Sequence, residues 1–321
     1  MKAPGGPKPF HRGLFRELPQ SPRIAHAYDQ TRGRQITVDS VPFGKHRVAY
    51  REIGHGEPLL LLHGLMTTSY SWRYVYADLA QNYRVIAPDL PGAGATDPCL
   101  DGAYSLESLA TWLGEFQNAL GIRGCQTVGN SLGGLICMRL AFDDQAAFSR
   151  LVNIHSPFFP EARYHLLHNA LKLPGVKRAL AAVIRRRPLE WVHRNVHYFD
   201  ESLKSLEEAH AYGDPLAAPG GAEAFIHYLS DVVAPASFQA ISRELEQRRR
   251  AKTEFPCPLL LIYASSDPMV SPDNGTRLWK LLESAEPKPT SPKMVWLEES
   301  SHFAHVDTPA RVVSELRAFF G

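Results

Sequence analysis

Cysteine is scarce: Cys99, Cys125, Cys137 and Cys257 are the four in 321 residues, and no two form a C-x-x-C pair. That excludes a dense disulfide framework and a thiolate zinc ribbon, and the thiols read as buried and reduced, as expected of a cytoplasmic protein. A dominant charge is missing too. The 35 Lys and Arg stand against 33 Asp and Glu, a net charge of +2, unlike the strongly basic face of a dedicated nucleic-acid binder. No apolar run approaches the roughly 20 residues that cross a bilayer, so no transmembrane segment is expected. Residues 1–34 are rich in Pro, Gly, Arg and Lys but hold no continuous apolar stretch of the secretory-signal kind. They read as a basic irregular arm, either a solvated tail or a strap over the body. Repeats and long low-complexity tracts are absent. What is present, 44% hydrophobic and 21% charged residues, suits one large globular domain with an insertion, or two domains. Nothing in it indicates an oligomeric state.

Strand and helix signals alternate over most of the chain. Gln35–Val41 and His46–Ile53 read as strands around a Pro-Phe-Gly-Lys turn, and Pro58–Leu62 as a strand covered on both faces. A helix is expected over Tyr70–Gln81, a strand over Tyr83–Pro88, and a helix capped by Ser105 and stopped by Gly121. A strand ending near Val128, a helix through Phe142 and a strand Leu151–His155 follow. From Ser156 to about Phe255 only helical periodicity is found. Alternation then resumes with strands Leu259–Ala264 and Met294–Leu297 and helices Asn274–Leu282 and Pro309–Phe320. The pattern predicts an α/β fold: a mostly parallel, doubly wound sheet formed by residues 35–155 and 256–321, interrupted by a helical insertion at 156–255.

The chemistry gathers on the stretch Gly129-Asn130-Ser131-Leu132-Gly133, which fits G-x-S-x-G between a strand and a helix. A serine on so sharp a turn is strained, and the glycines two residues to either side remove side chains that would collide. The alternative is a glycine-rich loop with an N-cap serine. A serine nucleophile needs a histidine base, and the histidine needs a carboxylate to fix its tautomer. Ligands of an open parallel sheet bind beyond the carboxyl ends of its strands. Ser131, Asp267 and His302 each follow such a strand end, in the order Ser, Asp, His. His305 raises the question of a metal pair, but two histidines with no third ligand make a poor site. No metal or other cofactor is expected.

The segments LLLLHGLMTTSYSWRYV, YRVIAPDLPGAGATD, VGNSLGGL, LLLIYASSDPMV and SSHFAHVDTPARVVSEL, in this order and at these separations, resemble the α/β-hydrolase superfamily from about Gln35 to Phe320. The resemblance implies the α/β-hydrolase fold, with the insertion 156–255 as a helical cap or lid. It also implies an oxyanion hole formed by the backbone N–H groups of Leu65 and Leu132. HGLMTTSYSWR is similar to haloalkane dehalogenases and epoxide hydrolases. Those enzymes carry Asp where this chain has Ser131, and the halide-holding Asn and Trp of dehalogenases correspond here to Leu65 and Leu132. The H-G-x-G-P-G stretch common in hydrolases of meta-cleavage ring-fission products is also absent.

These readings converge on a serine hydrolase acting through an acyl-enzyme on an apolar, small-molecule carboxylic ester or related acyl compound. Carbon–carbon bond hydrolysis of a diketone-type substrate, or ligand binding without catalysis, are the alternatives. The aromatic-rich insertion, including Trp191 and Phe225, is expected to supply the substrate wall. His155 either lines the pocket or is a satisfied structural histidine. Arg185–Arg187 and Arg248–Arg250 read as solvated helix faces or, failing that, as guides for an anionic substrate or acidic partner.

Overall fold

The computed structural model describes residues 10–283, 288 and 290–321. Its eight strands are β1 (Arg32–Ser40), β2 (Gly44–Ile53), β3 (Glu57–Leu62), β4 (Tyr83–Pro88), β5 (Gln126–Asn130), β6 (Arg150–Ile154), β7 (Leu259–Ala264) and β8 (Lys293–Leu297). They form one sheet in the order β1-β2-β4-β3-β5-β6-β7-β8. The β1–β2 and β2–β4 pairs are antiparallel and the other five are parallel. Leu59 to Leu62 are fully buried, as both covered faces of β3 require. From β3 the chain steps outward to β4, then crosses back to place β5 on the other side. The loops leaving β3 and β5 therefore diverge, and an open sheet forms its ligand crevice where the winding reverses in this way.

Helices Leu106–Leu120 and Leu132–Asp143 cover one face, in a cluster that includes Trp112, Phe116, Leu135 and Ile136. Ser105 caps the first by accepting from Ser108 N at 3.1 Å, and Gly121 ends it with φ 66°, a backbone state costly for side chains with a Cβ. Pro309–Phe320 covers the opposite face together with Trp72 and Val75. The helix expected over Tyr70–Gln81 is broken into a 3₁₀ turn, Ser69–Trp72, and a single α-turn, Tyr76–Leu79. Tertiary bonds account for the break. Ser69 N donates to Asp89 Oδ1 at 2.7 Å, and Tyr76 Oη donates back to Ser69 O at 2.8 Å, which holds the first turn away from regular α geometry.

Among the described residues no strand lies between β6 and β7. Six helices of seven residues or more, from Ala162–Leu171 to Pro235–Arg250, occupy the interval. A third apolar cluster joins Tyr198, Tyr212 and Phe225 of this segment to Tyr70, Phe303 and Val306. At its centre Arg73, completely buried, pairs with Glu208 at 2.6 Å, while Tyr198 Oη donates to the same carboxylate oxygen at 2.7 Å. The described part of the arm runs along the helical segment. Leu206 N donates to Pro19 O, Glu207 N donates to Gln20 O, and the His193 ring meets Gly13 O, all at 2.8–3.0 Å. In the described residues the arm is thus a strap, since each of these contacts satisfies a backbone group. All four cysteines are free and buried. No helix among the described residues is long and apolar enough to cross a membrane.

Candidate active site

Ser131 stands between the last residue of β5 and the first of helix Leu132–Asp143, with φ 54° and ψ −121°. A non-glycine residue held there stores on the order of 1–3 kcal/mol, so its surroundings must fix it. Ser131 N donates to Ile154 O at 2.8 Å, and Ser156 Oγ donates to Ser131 O at 2.6 Å. The flanking glycines are steric necessities. A Cβ on Gly129 comes within 2.5 Å of Gly134 Cα, and one on Gly133 within 2.3 Å of Leu62 O. Asn130, not singled out by the sequence pattern, ties the elbow to two neighbouring loops. Its Nδ2 donates to Ile154 O at 3.2 Å and to His302 O at 3.0 Å.

The loops after β7 and β8 bring Asp267 and His302 together. His302 Nδ1 lies 2.8 Å from Asp267 Oδ2. Asp267 Oδ1 accepts from Met269 N at 2.6 Å and Val270 N at 3.0 Å, an Asx-type turn that fixes the carboxylate plane. A second imidazole shares Oδ2: His155 Nδ1 lies 2.9 Å away, although its N–H points off that line and leaves the atom without a well-aimed hydrogen bond. His155 Nε2 accepts from Ala264 N, so the ring proton of a neutral His155 sits on Nδ1, facing Asp267. Burial pushes Asp267 toward the neutral acid, but His302, bonded to it, and the neighbouring His155 outweigh this and hold the carboxyl far below its usual range. His155 is driven below the ordinary histidine range by burial, against the pull of Asp267.

The ring and carboxylate atoms of His155, Asp267 and His302 lie within 4.8 Å of one another, a spacing that suits a metal. Their chemistry does not, because His155 spends its lone pair on the Ala264 amide and keeps a proton toward the other two. His305 forms no such site either. It is fully buried, tilted against Trp72 at 4.2 Å between ring centroids, and without a partner at either nitrogen among the described residues. Burial holds it well below its ordinary pKa, so it is a neutral packing group.

A narrow cleft, with room for only about 30 Å³ of water-sized positions, reaches the elbow between the sheet and the helical segment. Gly64, Leu65 and Leu132 line its sheet side, and Tyr212, Leu216 and Phe225 its helical side; Ser131 itself is not among the lining residues. Neither Leu65 N nor Leu132 N donates to a protein acceptor among the described residues. His63 sets the direction of the first. Its Nε2 accepts from Leu90 N at 3.0 Å, which places the proton on Nδ1, 2.8 Å from Gly64 O. Thr67 Oγ1 donates to the same carbonyl at 3.0 Å. In a trans peptide, holding the carbonyl on one side turns the following N–H, that of Leu65, to the other.

Of the three expected substrate contacts, Phe225 is in the cleft. His155 is not: it is completely buried, with Nε2 accepting from Ala264 N and Nδ1 2.9 Å from Asp267 Oδ2. Trp191 is not either, and lines a separate hollow with Arg186 and Arg194. The aromatic richness of the insertion that suggested Trp191 says which residues can form an apolar wall, but not which space each of them faces.

A mostly parallel sheet with a serine elbow, a bonded Asp–His pair and two unengaged N–H groups beside a cleft fits the hydrolase class built on this architecture. The comparisons agree: the family described as alpha/beta hydrolase fold matches residues 57–309, and the chain belongs to it. Uncharacterised proteins of Mycobacterium bovis and Mycobacterium tuberculosis are 39% identical over 108 residues, 33% of this chain; the chain thus spans about a third of their length, 31%. Haloalkane dehalogenase 2 of Mycobacterium tuberculosis is 24% identical over 286 residues, 86% of this chain and 92% of the dehalogenase. A thermophilic esterase from Thermogutta terrifontis superposes with a TM-score of 0.66 at 18% identity, over 89% of this chain and 98% of its own, a likeness of fold.

Proposed function

We propose that the protein is a serine hydrolase cleaving a carboxylic ester, or a related acyl compound, of moderate size and apolar character. The observation that carries this reading is the 2.8 Å contact between His302 Nδ1 and Asp267 Oδ2, on the same rim as a serine in elbow conformation. A proton on Nδ1, donated to the carboxylate, leaves Nε2 of His302 free to act as a base. Ser131 Oγ attacks the carbonyl carbon as His302 takes its proton, and the N–H groups of Leu65 and Leu132 receive the developing oxyanion. Collapse expels the alcohol, which takes the proton back from His302. Water then attacks the acyl-enzyme by the same route and releases the acid. Each preorganised oxyanion donor is worth roughly 3 kcal/mol in such steps. His155 acts as a positioning residue beside Asp267. The helical segment serves as the lid, and its Tyr212, Leu216 and Phe225 present an apolar wall to the acyl or alkyl group.

Labelling with a fluorophosphonate tests the reading, because only an activated serine reacts. The expected result is stoichiometric labelling of wild type, none in Ser131→Ala, and a loss of ester turnover of at least about 10⁴-fold in that variant. A folded wild-type protein that does not label is a ligand-binding member of the family instead. Labelling combined with turnover of a vinylogous diketone, and of no ester in a panel, moves the substrate to carbon–carbon cleavage.

A further inference from the structure

The outer surface of the helical segment carries a charge imbalance that the chain as a whole lacks. Residues 162–187 hold seven Lys or Arg and no Asp or Glu, whereas the rest of the chain holds 28 against 33. Three of the seven are neutralised by carboxylates from outside the stretch: Arg163 by Glu161, Arg185 by Glu223 and Arg187 by Glu190. Lys172, Lys177, Arg178 and Arg186 are exposed and form no ion pair among the described residues. The same stretch exposes large apolar side chains, Leu166 at 73%, Leu173 at 60% and Val183 at 58%.

Helices Ala162–Leu171 and Val176–Arg186 form a hairpin around Leu173-Pro174-Gly175, with Gly175 in the left-handed region at φ 81°. Lys172, Leu173, Lys177 and Arg178 border one open hollow, in which the single carboxylate, Asp231, faces His227 at 3.5 Å. Val183 and Arg186 border a second hollow with Arg194. Arg178, Ala182 and Arg186 succeed one another at i, i+4 and i+8, so one helical stripe joins the two hollows. The crowding of cations reaches His168, held below its usual range by partial burial and by the like charges of Lys172, His165 and Lys177.

We propose that this hairpin is a docking surface for an anionic lipid membrane. Unpaired cations beside exposed Leu and Val, on a short helical hairpin, match a headgroup layer of phosphates above an apolar interior. A purely polar polyanion offers the countercharge but leaves Leu166, Leu173 and Val183 in water, whereas a lipid surface takes up both. The surface lies on the segment whose inner side, through Leu216 and Phe225, walls the cleft. Docking therefore brings the proposed lid to a source of apolar substrate. The docking itself needs neither Ser131 nor His302.

Co-sedimentation of the full chain with unilamellar vesicles tests it. Binding is expected to vesicles of 70% phosphatidylcholine and 30% phosphatidylglycerol, and not to pure phosphatidylcholine; each basic residue contributes roughly fivefold to partitioning. The triple variant Lys172→Gln/Arg178→Gln/Arg186→Gln is expected to bind about 100-fold more weakly, with unaltered melting temperature and fluorophosphonate labelling. Leu166→Ser/Leu173→Ser is expected to weaken vesicle binding while leaving retention on a soluble polyanion, poly-glutamate, unchanged. Absence of vesicle binding overturns the proposal, as does equal binding to neutral vesicles or full binding by the triple variant. Retention on poly-glutamate without vesicle binding also overturns it and identifies an acidic protein partner. Loss of labelling in wild type leaves the docking result standing and counts only against the serine-hydrolase reading.

Discussion

Replacing Asp267 by Asn changes one atom, and the surroundings dictate what that atom does. The carboxylate accepts from Met269 N and Val270 N through Oδ1, and from the direction of His302 and His155 through Oδ2. An amide keeps the first pair satisfied only if its oxygen takes the Oδ1 position, which puts its NH₂ where Oδ2 was. The flipped amide sets NH₂ against two backbone N–H groups and is worse. In the preferred orientation the NH₂ donates to His302 Nδ1, so the ring carries its proton on Nε2 and has no lone pair for the Ser131 proton. Inversion of a histidine tautomer in this role lowers kcat on the order of 10⁴-fold, which corresponds to about 5.5 kcal/mol of barrier. The same NH₂ meets the Nδ1–H of His155, whose tautomer Ala264 N fixes, an unmatched buried contact costing roughly 1–3 kcal/mol of stability. Turnover of a soluble activated ester and a thermal melt measure the two effects separately. A folded Asp267→Asn protein with turnover within tenfold of wild type refutes the orientation argument.

Three further outcomes follow from the packing. Gly134→Ala puts a methyl 2.3 Å from Ser156 Oγ and 2.9 Å from Gly129 O, displacing the hydroxyl that holds Ser131 O; a loss of 1–3 kcal/mol in denaturant melts, about the usual cost of overpacking, is expected together with slower fluorophosphonate labelling. Arg73→Met strands Glu208, whose pKa burial already raises, and is expected to cost about 3–5 kcal/mol; Arg73→Met/Glu208→Leu is expected to regain most of it, and equal melting of single and double variants counts against a buried pair. Burial pushes Asp307 up to about 7 although Ser301 and Phe199 N donate to it. A carboxyl raised above its unfolded value withdraws stability as pH climbs from about 4 toward 7. Wild type is therefore expected to lose more melting temperature between pH 5 and 8 than Asp307→Asn does, and equal pH slopes contradict the linkage.

Legibility from sequence tracked how local each cause is. The buried run Leu59–Leu62, the cap at Ser105 and the stop at Gly121 depend on residues within a turn of one another, and the strands and the helix there fall where the pattern puts them. The elbow was readable for the same reason, since Gly129 and Gly133 answer to steric contacts of the turn and of the adjacent β3. Chain order and strand ends sufficed to pick Asp267 and His302 as a pair. The broken helix at 69–79 was not readable, because the group that competes for its backbone, Asp89, arrives from beyond the next strand.

The sequence by itself determined the alternation of strand and helix, the place of the helical insertion, and the positions able to carry a nucleophile, a base and an acid, because apolar period and glycine sterics act over a few residues. The tertiary structure alone decided that His155 faces Asp267 and not the cleft, that Asn130 bonds the His302 loop, and that the arm lies on the helical segment. It also decided that Trp191 and Phe225, both aromatic and both on apolar helix faces, look into different spaces. Each of these is a choice among partners far apart in the chain, and the physical reason is geometric. Burial and hydrogen bonding reward whichever groups the folded sheet and its connections bring within about 3 Å, a distance no local pattern encodes.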